Sequence, residues 1–328
     1  MKNNPQAQFA IEAVCKGAQL AQQIQDEIGA SSITKSDRSP VTMADFAVQA
    51  FIGAQFEKYF PNELLVGEEE ISFFEGSHGE IVLKKVVDFV RRYFPKADSE
   101  AVRSWVHRGA SEPAERFWTL DPIDGTKGYL RGEQYAVALA LVEKGEVQIG
   151  ALGCPHLTPE GRPQKRGSGA VFVAVRGEGA WGTSLQKMKQ LHRLSVSDCA
   201  DPKRACLLRS VEKSHTDVER IDRLLEALGT SVEPIFMDSQ AKYAVLAAGG
   251  GDFLIRFPSL SRAAGQMQIW DHAAGGLIIE EAGGRITDID GKPLDFTTGR
   301  LLLRNRGILA TNRHLHDVLL EAIQKILP

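Results

Sequence analysis

One stretch constrains the fold more than any other: Trp118-Thr119-Leu120-Asp121-Pro122-Ile123-Asp124-Gly125-Thr126-Lys127-Gly128. Aromatic and β-branched residues leading to Asp121 predict a buried strand. Asp-Pro predicts its end, because proline lacks an amide donor and restricts the residue before it. The two acids are therefore expected on a turn. Beyond Gly125, Thr126 is placed to open a helical turn, whose free N–H groups and positive dipole end suit a phosphate. Two carboxylates this close repel each other, and a divalent cation is the natural counter-charge. Carboxylates, a hydroxyl and free amides around a metal point to phosphate ester chemistry. The same letters also describe an ordinary turn rich in Asp and Gly, so the rest of the chain has to decide.

The chain has 328 residues, 43% hydrophobic and 25% charged. That is enough for one large domain or two of usual size, with a core that needs no staples. A formal net charge of −3 provides no field for a nucleic-acid polymer, and the longest basic cluster, Lys165-Arg166 near Arg162, is short. Cys15, Cys154, Cys199 and Cys206 have neither C-x-x-C nor zinc-finger spacing, which fits free thiols in a reducing compartment. Met1-Lys2-Asn3-Asn4-Pro5 lacks the pattern of a signal peptide, and no apolar run approaches the ~18 residues of a spanning helix. A soluble, cytoplasmic monomer without a membrane partner is expected.

From Phe9 to about Ile28 the apolar residues recur at helical spacing. A polar segment, Ser31 to Pro40, leads to Thr42-Met43-Ala44-Asp45 and a second helical pattern that Pro61 stops. Thr42 and Asp45 have the spacing of a capping box, which is a structural reason for an acid at Asp45. Glu63 to Gly67 reads as a short strand leading into Glu68-Glu69-Glu70, one of which is expected to turn inward. The segment 76–116 is helical around Ile81 to Phe94, then polar, and reads as an insertion or lid. Gln134 to Val142 and Glu146 to Leu152 are strands joined by a hairpin at Glu143-Lys144-Gly145, with further strands at Gly169 to Val175 and Gly179 to Trp181.

The pattern changes near Ser195 to Asp201. Beyond it, strand-like runs (Ala205 to Leu208, Val232 to Phe236) alternate with helical ones (Thr216 to Leu228, Gln240 to Ala248). An α+β domain over 1–197 and an α/β domain over 198–328 are expected. Near the end, Trp270-Asp271-His272 opens a helix that Gly283 stops, with Asp271 in or near its first turn as an N-cap or a ligand. Gly275-Gly276 inside that helix costs about 1 kcal/mol per glycine relative to alanine, which close packing has to offset. Beside hard-oxygen acids, His272 is read as a structural hydrogen-bonding residue.

Glu68-Glu69 after a strand, Asp121-Pro122-Ile123-Asp124-Gly125-Thr126 and Trp270-Asp271, in this order, resemble the lithium-sensitive, magnesium-dependent phosphatase superfamily that includes inositol monophosphatase. Other stretches are similar to the 3'(2'),5'-bisphosphate nucleotidases within it: Ser39 to Asp45, Asp124 to Gly128, Leu130 to Gln134, Gly153-Cys154-Pro155 and Met237 to Tyr243. Lys127-Gly128 stands where inositol monophosphatases typically have Asn.

The resemblance implies a two-domain, layered α/β/α/β/α sandwich. It implies removal of the 3'-phosphate from adenosine 3',5'-bisphosphate, and action on 3'-phosphoadenylyl sulfate, with no phosphoenzyme. Two or three magnesium ions are implied. Glu68, Asp121, the Ile123 carbonyl, Asp124 and Asp271 would be their ligands, with Asp45 and Thr126 directing the attacking water. Gly125 and Thr126 would hold the transferring phosphate through their amides. His215, Ser239, Lys242 and Arg256 would bind the nucleotide, the two cations meeting a second phosphate. Two alternatives remain: an inositol mono- or polyphosphate phosphatase, which shares the metal half of the site, and a catalytically silent nucleotide-binding protein.

Overall fold

Asn4 starts the first helix, its side chain accepting from the amides of Gln6 and Ala7 at 3.1 and 3.0 Å. The computed structural model describes residues 4–28, 33–34, 40–165, 167–187, 190–212, 217–258 and 267–327. Helix α1 (Pro5–Ile28) is followed by the paired strands β1 (Ile33–Thr34) and β2 (Pro40–Val41), then α2 (Met43–Tyr59) and β3 (Leu65–Gly67). Thr42 and Asp45 do form the capping box. Ala44 N donates to Thr42 Oγ1 at 3.1 Å, and Thr42 N donates to Asp45 Oδ2 at 2.7 Å.

Helices α3 (Gly76–Val90) and α4 (Ser99–His107) occupy most of the segment read as an insertion or lid. They bury Val82, Leu83, Val86, Val102 and Trp105 in the same core as α2. A lid needs a face that can leave the protein; this face is apolar and committed to packing.

Strand β4 (Arg116–Asp124) continues through Asp121-Pro122, where the sequence predicts a stop. The ladder accommodates the proline by a register shift between Asp121 and Asp124 against β5 (Ala136–Glu143), since a bulge is where a strand tolerates a missing donor. Helix α5 (Thr126–Arg131) follows at once. β5 meets β6 (Glu146–Cys154) through Lys144 and Gly145, whose φ values of 53° and 77° are those of a type I′ hairpin. With β7 (Ala170–Val175), β8 (Gly179–Ser184) and β9 (His192–Arg193), the order β3-β4-β5-β6-β7-β8-β9 completes a seven-stranded sheet. It is antiparallel except at β3–β4.

The second half contributes β10 (Leu207–Arg209), α6 (Val218–Leu228), β11 (Ile235–Phe236), α7 (Ala241–Ala247), β12 (Phe253–Arg256), α8 (Ala273–Glu281), β13 (Arg285–Thr287), β14 (Ile308–Thr311) and α9 (His316–Ile326). Its strands form a mixed five-stranded sheet in the order β11-β10-β12-β14-β13. The predicted strand from Val232 shrinks to Ile235–Phe236, an edge strand of two residues. Five layers result. Helices α1 and α2 cover one face of the large sheet with α3 and α4 packed against α2, α7 and α8 lie between the two sheets, and α6 with α9 closes the outer face of the small one.

The large sheet is buried on both faces, so its strands are continuously apolar but sorted by size. Along β5, Val137, Leu139 and Leu141 face α1 and α2, whereas Ala136, Ala138 and Ala140 face the layer of α8. Gly150 on β6 extends that shallow face: a Cβ there would lie 2.5 Å from the Ala274 carbonyl. Helix α8 consequently sits against the sheet at backbone distance.

Helices α2 and α4 are equally close at Gly53, where a Cβ would fall 2.2 Å from the Trp105 carbonyl. Helix propensity alone would make Gly53→Ala stabilising by about 1 kcal/mol. The backbone clash should reverse the sign, and we expect a net loss of about 1–3 kcal/mol in urea-induced unfolding.

Candidate active site

Parallel pairing of β3 with β4 sets Gly67 opposite Leu120, so the next residues, Glu68 and Asp121, emerge side by side. Glu68 N donates to Leu120 O at 3.2 Å, closing the pair. Of the three glutamates, Glu70 is exposed and Glu69 buried, its backbone held at both ends by the Gln49 side chain at 3.0 and 2.7 Å. Glu68 is half-buried, and its negative charge bears on Asp121 more than that of any other acid.

Asp121 is fully within the protein, and its carboxyl is held well above the ordinary carboxylate range. Burial is the main cause, followed by the charges of Glu68, Asp124, Asp271 and Asp45. Five acids from four separate regions of the chain thus act on one another. Asp124 is pushed up to about 7 by loss of hydration and by Asp271, against the opposing pull of Lys242 and of its hydrogen bonds from Gln240. One of those bonds is Gln240 N to Asp124 Oδ2 at 2.6 Å. Asp45 is buried with its Oδ2 taken by Thr42. The Thr126 hydroxyl donates to the Ile123 carbonyl at 3.1 Å.

Cations come from the second half of the chain. Lys242 Nζ donates to the carbonyls of Met237 and Ser239 at 3.3 and 3.0 Å. Burial lowers its pKa, while Asp124 and Asp238 hold it up. Arg256, at the end of β12, meets Asp271 Oδ2 at 3.4 Å with both side chains partly exposed. Asp271 lies in a 3-10 turn, Ile269–Asp271, rather than capping α8, whose start has no side-chain cap. His272 accepts or donates at Nδ1 with the Tyr243 hydroxyl at 2.7 Å; burial and the nearby Arg256 and Lys242 keep the ring neutral. It is structural, as its surroundings in the sequence suggest. Gly275 is required by the same contact, since a Cβ would strike the Tyr243 ring at 2.6 Å.

Gly125 is obligatory on two counts. Its φ is 84°, and a Cβ would lie 2.8 Å from that of Ser239. Ser239 itself is left-handed at φ 65°, with its Oγ accepting from Ala241 N at 3.1 Å. Gly128 permits a similar approach: a Cβ there would be 2.2 Å from Gln134 O and 3.1 Å from Asp238 Cβ. Lys127 bonds Glu212 Oε2 at 2.9 Å, and Arg131 bonds Glu212 Oε1 at 2.6 Å and also pairs with Asp238. Helix α5 is thereby tied to both loops of the second half that flank the site.

Every sequence-derived site residue except one falls in this region: Asp45, Glu68, Asp121, Ile123, Asp124, Gly125, Thr126, Ser239, Lys242, Arg256 and Asp271. His215 lies outside the described residues. Gln240 was not foreseen. Besides Asp124, it binds Trp270 O through Nε2 at 2.9 Å and accepts from Gly275 N at 3.0 Å, linking the motif that holds Asp124 to the turn that holds Asp271. Its position inside the Met237 to Tyr243 stretch was the available signal. Arg131 carried the same kind of signal inside the Leu130 to Gln134 stretch, whereas Gln49 had none, because its partners are distant in the chain.

The donor set is one of hard oxygens, and Asp121 Oδ1 is buried without a hydrogen-bond partner among the described residues. Such an atom, in a group of mutually repelling carboxylates, suits a small divalent cation. Among the described residues no three ligand side chains already stand in coordination geometry. The acids interact at electrostatic range.

A family model described as the inositol monophosphatase family matches residues 2–327. A 3'(2'),5'-bisphosphate nucleotidase from Schizosaccharomyces pombe is 36% identical over 98% of this chain and 96% of its own. One from Oryza sativa is 38% identical over 96% of this chain and 92% of its own. Among solved structures, the Thermotoga maritima IMPase shares the fold with a TM-score of 0.67 at 21% identity, covering 98% of each chain. CysQ from Bacteroides thetaiotaomicron does so with a TM-score of 0.61 at 22% identity, over 94% of this chain and 97% of its own. With its layered sheets, its acid cluster and these end-to-end similarities, the chain belongs to the inositol monophosphatase family, among its 3'(2'),5'-bisphosphate nucleotidase relatives.

Proposed function

We propose that the protein is a magnesium-dependent phosphatase that removes the 3'-phosphate of adenosine 3',5'-bisphosphate, and also acts on 3'-phosphoadenylyl sulfate. The observation that carries this reading is the facing of the acid cluster by Lys242 and Arg256, cations suited to a second, non-reacting phosphate that an inositol monophosphate lacks. The relatives' names support the same substrate class.

Glu68, Asp121, Asp124, Asp271 and the Ile123 carbonyl would hold two or three magnesium ions. When bound, these ions would neutralise phosphate charge and acidify a water. Asp45 is oriented by Thr42 through its Oδ2, and with the Thr126 hydroxyl it would direct that water and take its proton. The amides of Gly125 and Thr126 would hold the transferring phosphate. Ser239, packed under Gly125, and His215 would bind the nucleotide beside Lys242 and Arg256.

With magnesium present, phosphate release from adenosine 3',5'-bisphosphate should exceed that from inositol 1-phosphate; a preference for the inositol ester would overturn the reading. Asp124→Asn should cut turnover by orders of magnitude with unchanged far-UV circular dichroism. Near-normal turnover in that variant would remove Asp124 from the ligand set.

A pH dependence follows from the raised carboxyls. The folded Asp124 holds its proton up to about 7, against 3.8 as the ordinary value, so the folded state binds more protons than the unfolded one between those limits. Without metal, its contribution to stability is greatest below pH ~4 and declines as pH rises towards about 7. Magnesium must displace that proton. Titration calorimetry should therefore show proton release on binding at pH 6, and weaker affinity there than at pH 8.

A further inference from the structure

Arg300 lies in a loop that carries no recognisable motif, yet it touches the residues next to two acids of the cluster, Glu68 and Asp271. Its backbone carbonyl accepts from Ile269 N at 3.1 Å, at the start of the turn that holds Asp271. Its guanidinium lies over the Trp270 ring, 4.9 Å from the centroid. The same group donates through Nη2 to the carbonyl of Gly67, the residue before Glu68, and through Nη1 to Ser111 O at 3.3 Å. Glu68 belongs to the large-sheet half of the chain and Asp271 to the small-sheet half.

We propose that Arg300 is a positioning residue that sets the separation of Glu68 and Asp271, and so tunes the affinity of the site for its divalent cation. The inference rests on the ligand roles proposed above for those two acids. Arginine fits this task for a physical reason: a planar guanidinium can stack on an indole with its face while its edge forks to two carbonyls, and an ammonium cannot do both. Its guanidinium donates to carbonyl oxygens, so it holds the backbone beside the acids without competing with a metal for them. Arg256 differs, since it pairs with Asp271 directly.

The sign of the effect separates positioning from simple charge. Removing a cation from beside an acidic cluster should, by Coulomb's law alone, strengthen cation binding. Loss of positioning should weaken it.

The test uses the full chain and Mn2+ as the probe, read by loss of the free-ion paramagnetic resonance signal without substrate. Arg300→Gln and Arg300→Lys should each weaken Mn2+ binding by about tenfold or more. At saturating magnesium, the KM for the phosphorylated substrate should stay within about twofold of the parent value. Mn2+ binding by Arg300→Gln as tight as in the parent, or tighter, overturns the proposal. If Arg300→Gln does not fold, the charge-conserving Arg300→Lys decides alone, and unchanged Mn2+ affinity in it is equally fatal. Glu68→Gln and Asp271→Asn serve as references. If they leave Mn2+ binding unchanged, the ligand reading itself fails; if they weaken it while the Arg300 variants do not, only the positioning role fails.

Discussion

The approach of α8 to the large sheet is the constraint on which the site depends. Ala136, Ala138, Ala140 and Gly150 make one sheet face shallow, and the Ala274 carbonyl comes within reach of a single added Cβ at Gly150. Larger residues there would lift the helix and carry Asp271 away from Asp121 and Asp124. Gly275 meets the Tyr243 ring on the neighbouring helix in the same way. The helix cost of that glycine is offset by a packing distance that no other residue allows.

Once those layers are in place, electrostatics opposes them. Burial and the charges of Glu68, Asp124, Asp271 and Asp45 raise the proton affinity of Asp121, and burial and Asp271 raise that of Asp124. Nearby cations offset only part of that repulsion, and each is itself held by backbone or acid partners: Lys242 by two carbonyls, Arg256 by Asp271. The framework that tolerates the repulsion is neutral. Gln49 clamps the backbone of Glu69, Gln240 joins Asp124 to Trp270 and Gly275, and Tyr243 binds His272. Buried amides and hydroxyls fix geometry without adding charge to the acid cluster.

Lys127 and Gly128 show how one local difference reaches across the molecule. Lys127 pairs with Glu212, and Gly128 packs against Gln134 and Asp238. Gly128 lets α5 approach Asp238, and Lys127 with Arg131 grips Glu212. The stretch that carries Asp121 and Asp124 is thereby tied to the loops proposed above to meet a nucleotide.

Much of the fold was legible from residue types and spacing, and the acid set from the resemblance to the phosphatase superfamily. Thr42 with Asp45, the hairpin at Lys144-Gly145, the helix after Gly125 and the stop at Gly283 are local, and neighbouring residues decide them through capping, φ preferences and missing donors. The pairing of Asp121 with Asp124 was also legible as chemistry, while Lys242 and Arg256 came with the resemblance. What the chain alone left open was the outcome of competition between local preference and sheet pairing. Pro122 argued for the end of a strand, and a bulge carried β4 through to Asp124. The helices of 76–107 looked like an insertion or lid, and their apolar faces joined the core of α2. Which glutamate stands beside Asp121 is decided by the parallel register of β3 on β4, and the reach of Arg300 to Gly67 by the docking of two sheets. Sequence determines which groups are present and what their neighbours do. Proximity between residues hundreds of positions apart, and the loss of water that shifts their charges, exist only once the layers have packed.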